Sequence, residues 1–239
     1  MNSQSMNGPS TNSEQAAQAV DQAIAGRRSV RRFKSDPVAG EVLRAILDVA
    51  RHAPSGTNMQ PWHVAVVAGE PKRALSAAIH KVFNSGKVPP MEYEYYPAPF
   101  FEPYLARRRK VGWALYGALG IVKGDSAKMH AQAGRNYDFF DAPVGMIFSI
   151  DRGLKIGSWL DYGTFLQNIA IAARGRGLDT CMQAAFCFYH DTIREHLGVP
   201  QSHIVVCGMS LGYAVADAPE NIFPIERASV DGFTTFIGI

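Results

Sequence analysis

The chain has 239 residues, 47% of them hydrophobic, which is enough to bury one sizeable core. Its 24 basic and 21 acidic residues give a net charge of +3, and this near-balance indicates neither a nucleic-acid nor a membrane partner. No apolar run approaches the ~20 residues that cross a bilayer, and three cysteines form neither a disulfide framework nor a zinc signature, so we expect a cytoplasmic protein with reduced thiols.

Residues 1–12 are polar and rich in Gly, Pro, Ser and Asn, which predicts a flexible tail and not a secretory signal. We expect residues 13–239 to form a single domain. Apolar spacing and proline positions predict helices over residues 13–25, 38–53, 71–83, 103–122, 158–174 and 191–197. Apolar runs predict strands over residues 62–68, 143–150, 178–186 and 203–214, with a further short strand considered at 234–237.

Long connections between few strands are typical of an α/β or α+β layer fold. The helix at 158–174 carries apolar residues around most of its circumference. A helix of this kind is buried, either in the core or in a subunit interface.

Residues 208–212 match G-x-S-x-G, the turn that exposes the serine of many hydrolases. No helical pattern follows Ser210, and no histidine occurs after His203. We therefore favour a packing role, in which small residues let a core strand approach its neighbours closely. The seven histidines show no metal-ligand spacing, so we expect no metal site.

Two polar segments carry the chemistry. "RRSVRRF", residues 27–33, places four arginines and a serine within six residues, an arrangement that suits a phosphate group or, alternatively, a solvated basic patch. "PSGTNMQPW", residues 54–62, holds amide side chains between two prolines. Such a loop suits the mixed polar edge of a planar heterocycle, or it only satisfies its own backbone.

Four blocks occur in order: "RRSVRRF", "APSGTNMQPWHVAVV", "LQNIAIAARGRGLDTCMQ" and "VVCGMSLGYAVADAPEN". Together they resemble the nitroreductase family of flavin enzymes, over residues 23–233. The central stretch "YYPAPFFEPYLARRRKVGWALYGALGI" looks most like the nitrobenzoate-reductase-like members.

The resemblance implies an α+β fold, with a central antiparallel or mixed sheet flanked by helices, and an intertwined homodimer holding FMN at two interface sites. The phosphate and ribityl chain would be held by Arg27, Arg28, Ser29, Arg31 and Arg227. The other subunit would supply Pro54, Ser55, Gly56 and Asn58, with Asn58 at the edge of the flavin ring. A loop beside the ring would comprise Met182, Gln183, Ala184 and Ala185, with Met182 where many relatives have proline, and Asp161 would be a further polar position.

The resemblance also implies the reaction. NADH or NADPH would reduce the flavin, and a small aromatic substrate of the nitrobenzoate type would then be reduced from nitro through nitroso to hydroxylamine, with ping-pong kinetics. We assign no catalytic side chain, because the flavin carries the chemistry. Alternatives on the same scaffold are quinone or enone reduction, dehalogenation and desaturation, and a remoter one is a non-catalytic flavin-binding protein.

An aromatic insert spans about residues 84–125. Its flat side chains suit an aromatic ring, so we consider it a substrate lid, with Phe100, Tyr104 and Arg108 as candidate substrate contacts. Equally, these aromatics could extend the core and the dimer contact.

Overall fold

The computed structural model describes residues 11–239. Over this range the chain forms eight α-helices and four strands, joined in places by short 3-10 turns. The helices are α1 (Thr11–Gly26), α2 (Gly40–Ala50), α3 (Gly69–Asn84), α4 (Tyr104–Ala118), α5 (Ser126–Gly134), α6 (Ile156–Arg174), α7 (His190–Leu197) and α8 (Pro219–Ile222). The strands are β1 (His63–Ala68), β2 (Val144–Asp151), β3 (Asp179–Gln183) and β4 (His203–Gly212).

The strands form one sheet in the order β1-β2-β4-β3, and every neighbouring pair is antiparallel. β2 and β4 are buried along almost their whole length, as expected for strands covered on both faces. The α+β class and the central antiparallel sheet predicted from the sequence are therefore confirmed.

Side chains of β2 alternate between two cores, one on each face of the sheet. Met146, Phe148 and Ile150 join the core that contains α2 and α6, whereas Ile147 joins the core that contains α3 and α7. The helices thus form layers on both faces, and the sheet edges and strand ends are where polar chemistry can be exposed.

Glycines in β4 allow large neighbours to reach the strand backbone. A Cβ added at Gly208 would lie 2.3 Å from the ring of Phe186, and one at Gly212 would lie 2.6 Å from Pro143. The predicted packing role of the G-x-S-x-G segment is confirmed.

Most predicted elements match within a few residues, but several differ, and the short helix α8 was not predicted. α1 begins at Thr11, inside the predicted tail, while residues 1–10 of that tail lie outside the described range. The helix predicted at 103–122 ends at Ala118, where Gly120 adopts a positive φ, and the separate helix α5 was not predicted. Its start is nevertheless encoded, because the carboxylate of Asp125 accepts a hydrogen bond from the Lys128 amide.

The short strand considered at residues 234–237 is wrong. Residues 234–237 have no regular secondary structure and no ladder partner in the part of the chain that the structure describes, and a strand needs such a partner. Its apolar side chains are exposed, with Ile237 at 89% and Ile239 at 97%. No helix within residues 11–239 has the length and apolar character needed to span a bilayer.

Candidate functional site

The arginine segment, residues 27–33, runs along the free edge of β3. Val30 donates its amide hydrogen to the carbonyl of Thr180 at 3.1 Å, and Ser29 pairs with Thr180 as a parallel bridge. The segment therefore lies directly beside residues 181–185, although more than 140 positions separate the two in sequence.

The arginines of this segment differ in their partners. Arg32 forms ion pairs with Asp141 at 3.1 Å and with the buried carboxylate of Glu220 at 3.0 Å. Arg28 and Arg31 donate only to the carbonyls of Asn221 and Ser29, and among the described residues neither they nor Arg27 has a carboxylate at ion-pair distance. Positive charge without a counter-charge is what an anion-binding site requires.

A cavity of about 420 Å³ begins at Arg31, within the size range of small-molecule sites. One wall is the stretch 181–185, so the structure brings the predicted Met182, Gln183, Ala184 and Ala185 together with Arg31. The other walls are largely aromatic: Tyr95, Tyr96, Tyr116, Phe140 and Phe188. The cavity thus joins a cationic end to flat apolar surfaces.

The side chain of Gln183 holds this wall in place. Its amide nitrogen donates to the carbonyl of Asn136 at 2.7 Å, and its oxygen accepts a hydrogen bond from the Ser210 hydroxyl at 2.6 Å. Gln183 is 2% exposed and Ser210 is fully buried within β4, not at a turn. Ser210 is therefore a structural donor, and the geometry of a hydrolase nucleophile is absent.

The loop of Pro54, Ser55, Gly56 and Asn58 lies elsewhere in the chain, against α6. Asp161 accepts a hydrogen bond from the Gly56 amide at 3.0 Å, and the Ser55 hydroxyl accepts one from the Gln60 amide at 3.0 Å. These residues do not line the cavity of the same chain. Asp161 acts here as an anchor for the loop backbone.

The aromatic insert divides between core and cavity. Tyr93 is packed against Trp159 at 4.6 Å between ring centroids and donates its hydroxyl hydrogen to the carbonyl of Val206. Tyr95 and Tyr96, two and three residues later, line the cavity. The insert therefore contributes Tyr93 to the core and Tyr95 and Tyr96 to the cavity wall, and its role as a substrate lid stays a prediction.

The three candidate substrate contacts lie outside the cavity lining. The Arg108 guanidinium covers the ring of Phe100 at 4.5 Å, a cation–π contact, and Tyr104 packs edge-on against Phe101 at 5.1 Å. Arg227 also lies apart from Arg31, in a second groove of about 610 Å³ that it shares with the basic residues of α4: Arg107, Arg108 and Lys110.

The titratable groups at the cavity are not poised for acid–base work. Burial raises the pKa of the Cys181 thiol to about 11, even though Arg31 and Ser29 oppose the shift. Cys181 is therefore a neutral thiol at neutral pH. Burial likewise raises the pKa of Asp179, despite its ion pair with Arg174 at 3.0 Å. Within residues 11–239 no cluster of three or more His, Cys, Asp or Glu side chains could hold a metal ion.

Sequence reasoning missed several residues that shape the site. Asn136 and Tyr116 belong to the cavity, and Glu220 and Asn221 contact the arginine segment. The last two lie in the "ADAPEN" stretch, where a polar pair directly follows Pro219. This polar pair was the sequence signal by which the two residues could have been found.

Comparison with known proteins gives a consistent result. The model of the nitroreductase family matches residues 24–213. A 4-nitrobenzoate reductase of Pseudomonas putida is 43% identical, with 91% of this chain and 95% of that protein covered. A nitrobenzene nitroreductase of Ectopseudomonas oleovorans is 41% identical, with 91% and 96% covered.

Among solved structures, the FMN and NADPH-dependent nitroreductase NfnB from sphigopyxis sp. strain HMH superposes with a TM-score of 0.89 at 36% identity, covering 92% of this chain and 99% of that one. The FMN-dependent nitroreductase NfnB from Mycobacterium smegmatis, solved in complex with NADPH, gives a TM-score of 0.89 at 33% identity, with 93% and 99% covered.

Proposed function

The chain belongs to the nitroreductase family, and on that premise we propose that it is an FMN-dependent oxidoreductase that reduces nitroaromatic compounds to hydroxylamines with NADPH or NADH. The observation that carries the proposal is the cavity that joins Arg31, which has no carboxylate at ion-pair distance among the described residues, to aromatic walls. The NADPH-dependent NfnB structures favour NADPH as the donor.

The donor set fits FMN. Its phosphate would be held by Arg27, Arg28, Ser29 and Arg31. Within residues 11–239 none of these three arginines has a carboxylate at ion-pair distance. Arg227 would move from its groove to add a further contact. The stretch 182–185 would face the ring with small side chains and backbone. When bound, FMN supplies the redox chemistry by accepting electrons from the nicotinamide donor and passing them to the nitro group.

The protein's own contribution is position and electrostatics. Buried hydrogen bonds to Gln183 fix the wall beside the ring, and the arginines stabilise negative charge at the far end of the cavity. Aromatic side chains exclude water and offer surfaces on which a flat substrate can stack. No side-chain acid or base is required, in keeping with the neutral thiol of Cys181.

The site is completed by a second copy of the chain. Pro54, Ser55, Gly56 and Asn58, anchored by Asp161, would then face the partner's cofactor. The support is an apolar stripe on α6 opposite its buried face, where Ile156 is 86% exposed and Leu160 is 75% exposed. Exposed apolar side chains near the C-terminus, such as Ile237, fit the same arrangement.

The substrate is of the nitrobenzoate type, as for the relatives from Pseudomonas putida and Nocardioides sp. (strain LMS-CY), both named 4-nitrobenzoate reductases. Phe100, Tyr104 and Arg108 would approach it by movement of the insert, with Arg108 facing its carboxylate.

Residues 13–239 form one domain in this proposal, because both cores share the same sheet.

The first experiment is the visible spectrum of the purified protein before and after NADPH under anaerobic conditions. We expect a flavin spectrum that bleaches with NADPH and returns when 4-nitrobenzoate is added, with the hydroxylamine as product. Parallel double-reciprocal lines would support the ping-pong order, and intersecting lines would contradict it. A protein that stays colourless after addition of FMN would overturn the proposal.

A further inference from the structure

Two residues on α8, Glu220 and Asn221, contact the arginine segment from the far end of the chain. Asn221 is 5% exposed, and Glu220 is 2% exposed. They lie about 190 positions from their partners, so these contacts are tertiary and not part of a local turn. Buried polar side chains persist where their hydrogen bonds are fully made.

The side chain of Asn221 clamps the backbone of the segment. Its oxygen accepts hydrogen bonds from the amides of Arg31 at 2.7 Å and Arg32 at 3.2 Å. Its nitrogen donates to the carbonyls of Arg32 at 2.9 Å and Val215 at 2.8 Å. Only an amide side chain can accept twice and donate twice in this way.

Glu220 and Asn221 also give the arginine side chains different partners. The backbone carbonyl of Asn221, as distinct from its side chain, accepts a hydrogen bond from the guanidinium of Arg28 at 2.8 Å. The carboxylate of Glu220 binds Arg32 at 3.0 Å and Arg135 at 2.8 Å, and Asp141 binds the same two arginines, which closes a ring of four charges. Arg32 is thereby neutralised, whereas Arg31 remains at the cavity with one weak internal bond.

We propose that Asn221 is a positioning residue for the cofactor phosphate, acting through Arg28 and Arg31 without touching the phosphate itself. This inference rests on the proposed function. Holding two arginines in place before the anion arrives removes the ordering cost that flexible arginines would otherwise impose on binding. Asn221 should therefore increase the affinity that the phosphate contributes and leave the affinity for the flavin ring unchanged.

The test compares FMN with riboflavin, which has the same ring system and no phosphate. The affinity of the apoprotein for each is measured by quenching of flavin fluorescence, and their ratio reports what the phosphate contributes. We expect Asn221→Ala to lower this ratio about tenfold and to change riboflavin affinity little. The variant removes the side-chain hydrogen bonds that hold the backbone of Arg31 and Arg32, and it keeps the backbone carbonyl that holds Arg28. Asn84→Ala, which removes an amide that contacts only His130, is the matched control.

A double-mutant cycle with Arg31→Ala tests the route of action. If Asn221 acts through Arg31, Asn221→Ala will lower the ratio of FMN to riboflavin affinity less in a protein that already carries Arg31→Ala than it does in the wild-type protein. Should Asn221→Ala fail to fold, Asn221→Ser retains one acceptor and is expected to give a smaller fall in the same ratio.

Two negative results are distinguishable. A wild-type protein that binds neither flavin, or binds both equally, contradicts the proposed function. A wild type that prefers FMN, together with an Asn221→Ala variant that keeps the full preference or loses both affinities in parallel, overturns only the positioning role.

Discussion

The exposed apolar stripe on α6 predicts what holds two copies together. Leu160 is 75% exposed in one chain. Complete burial of a leucine side chain is worth ~1.5–3 kcal/mol, so covering the exposed three-quarters contributes about 1–2 kcal/mol per copy and about 2–4 kcal/mol per symmetric dimer. Since each 1.4 kcal/mol is tenfold, Leu160→Asp should raise the dimer dissociation constant by roughly 30- to 700-fold or more.

Sedimentation velocity over a range of protein concentrations measures this shift, and absorbance of the flavin in the same runs measures FMN content. We expect Leu160→Asp to dissociate and to release FMN together, because the loop anchored by Asp161 would be lost from the partner's site. The variant should retain its far-UV circular dichroism, since Leu160 makes little contact with its own core. Val122→Asp, at a position 68% exposed and away from α6, is the control.

A Leu160→Asp variant that remains dimeric at the concentrations where the wild type does would show that the stripe on α6 does not hold two copies together. A variant that becomes monomeric but binds FMN with wild-type affinity would support the predicted interface on α6 and would contradict a cofactor site shared between two copies. In that case the positive φ angles of Thr57, Asn58 and Gln60 in the loop at residues 54–60 would need another explanation.

Three further predictions concern stability, each measured by urea unfolding. Gly208→Ala should cost about 1–3 kcal/mol through overpacking, whereas Gly112→Ala, in an open helical position, should stabilise by about 0.5–1 kcal/mol; equal effects would contradict the packing argument. Ser210→Ala should cost about 1–3 kcal/mol by leaving the buried oxygen of Gln183 unpaired, and an unchanged midpoint would argue against that bond. Burial raises the pKa of Glu220, but hydrogen bonds from its own amide and two arginines outweigh burial and hold it below its ordinary value of 4.5, so its stabilisation is present at neutral pH and is lost as pH falls. The stability difference between the wild type and Glu220→Gln should therefore shrink progressively as pH falls below 4.5, and a difference that stays constant or grows as pH falls would refute this.

The sequence predicted the sheet well because its central strands are continuous apolar runs. Residues 144–150 are buried without exception, so hydrophobicity alone identifies β2. The stretch 182–185 and the arginine segment were also predicted as parts of one site through the resemblance, and the structure places them side by side. The backbone pairing of the arginine segment with β3 is what brings the two segments into one site.

The sequence could not distinguish Arg31 from Arg32. The two are adjacent and chemically identical, and their different roles depend on Glu220 and Asn221, which reach them only after folding. The location of Arg108 is a similar case, since its contact with Phe100 depends on the path of the insert. Long-range polar contacts of this kind leave no periodic signal in the sequence.

Backbone strain supports the idea that the cavity and the loop at residues 54–60 are two halves of one site. A positive φ costs a non-glycine residue of order 1 kcal/mol, and such strain persists where the surrounding structure enforces it, commonly at functional sites. Within residues 11–239 every non-glycine residue with positive φ belongs to one of two segments. They are Thr57, Asn58 and Gln60 in the loop, and Phe139, Phe140 and Asp141 beside the cavity.

The second of these segments has an evident reason for its strain. Phe140 lines the cavity, and Asp141 completes the ring of charges that neutralises Arg32. The loop has no comparable reason within one chain, because Thr57, Asn58 and Gln60 are exposed and make only local hydrogen bonds. Strain without a local benefit is expected where the benefit comes from a contact made elsewhere, and in the proposed dimer a cofactor bound to the second copy would supply such a contact.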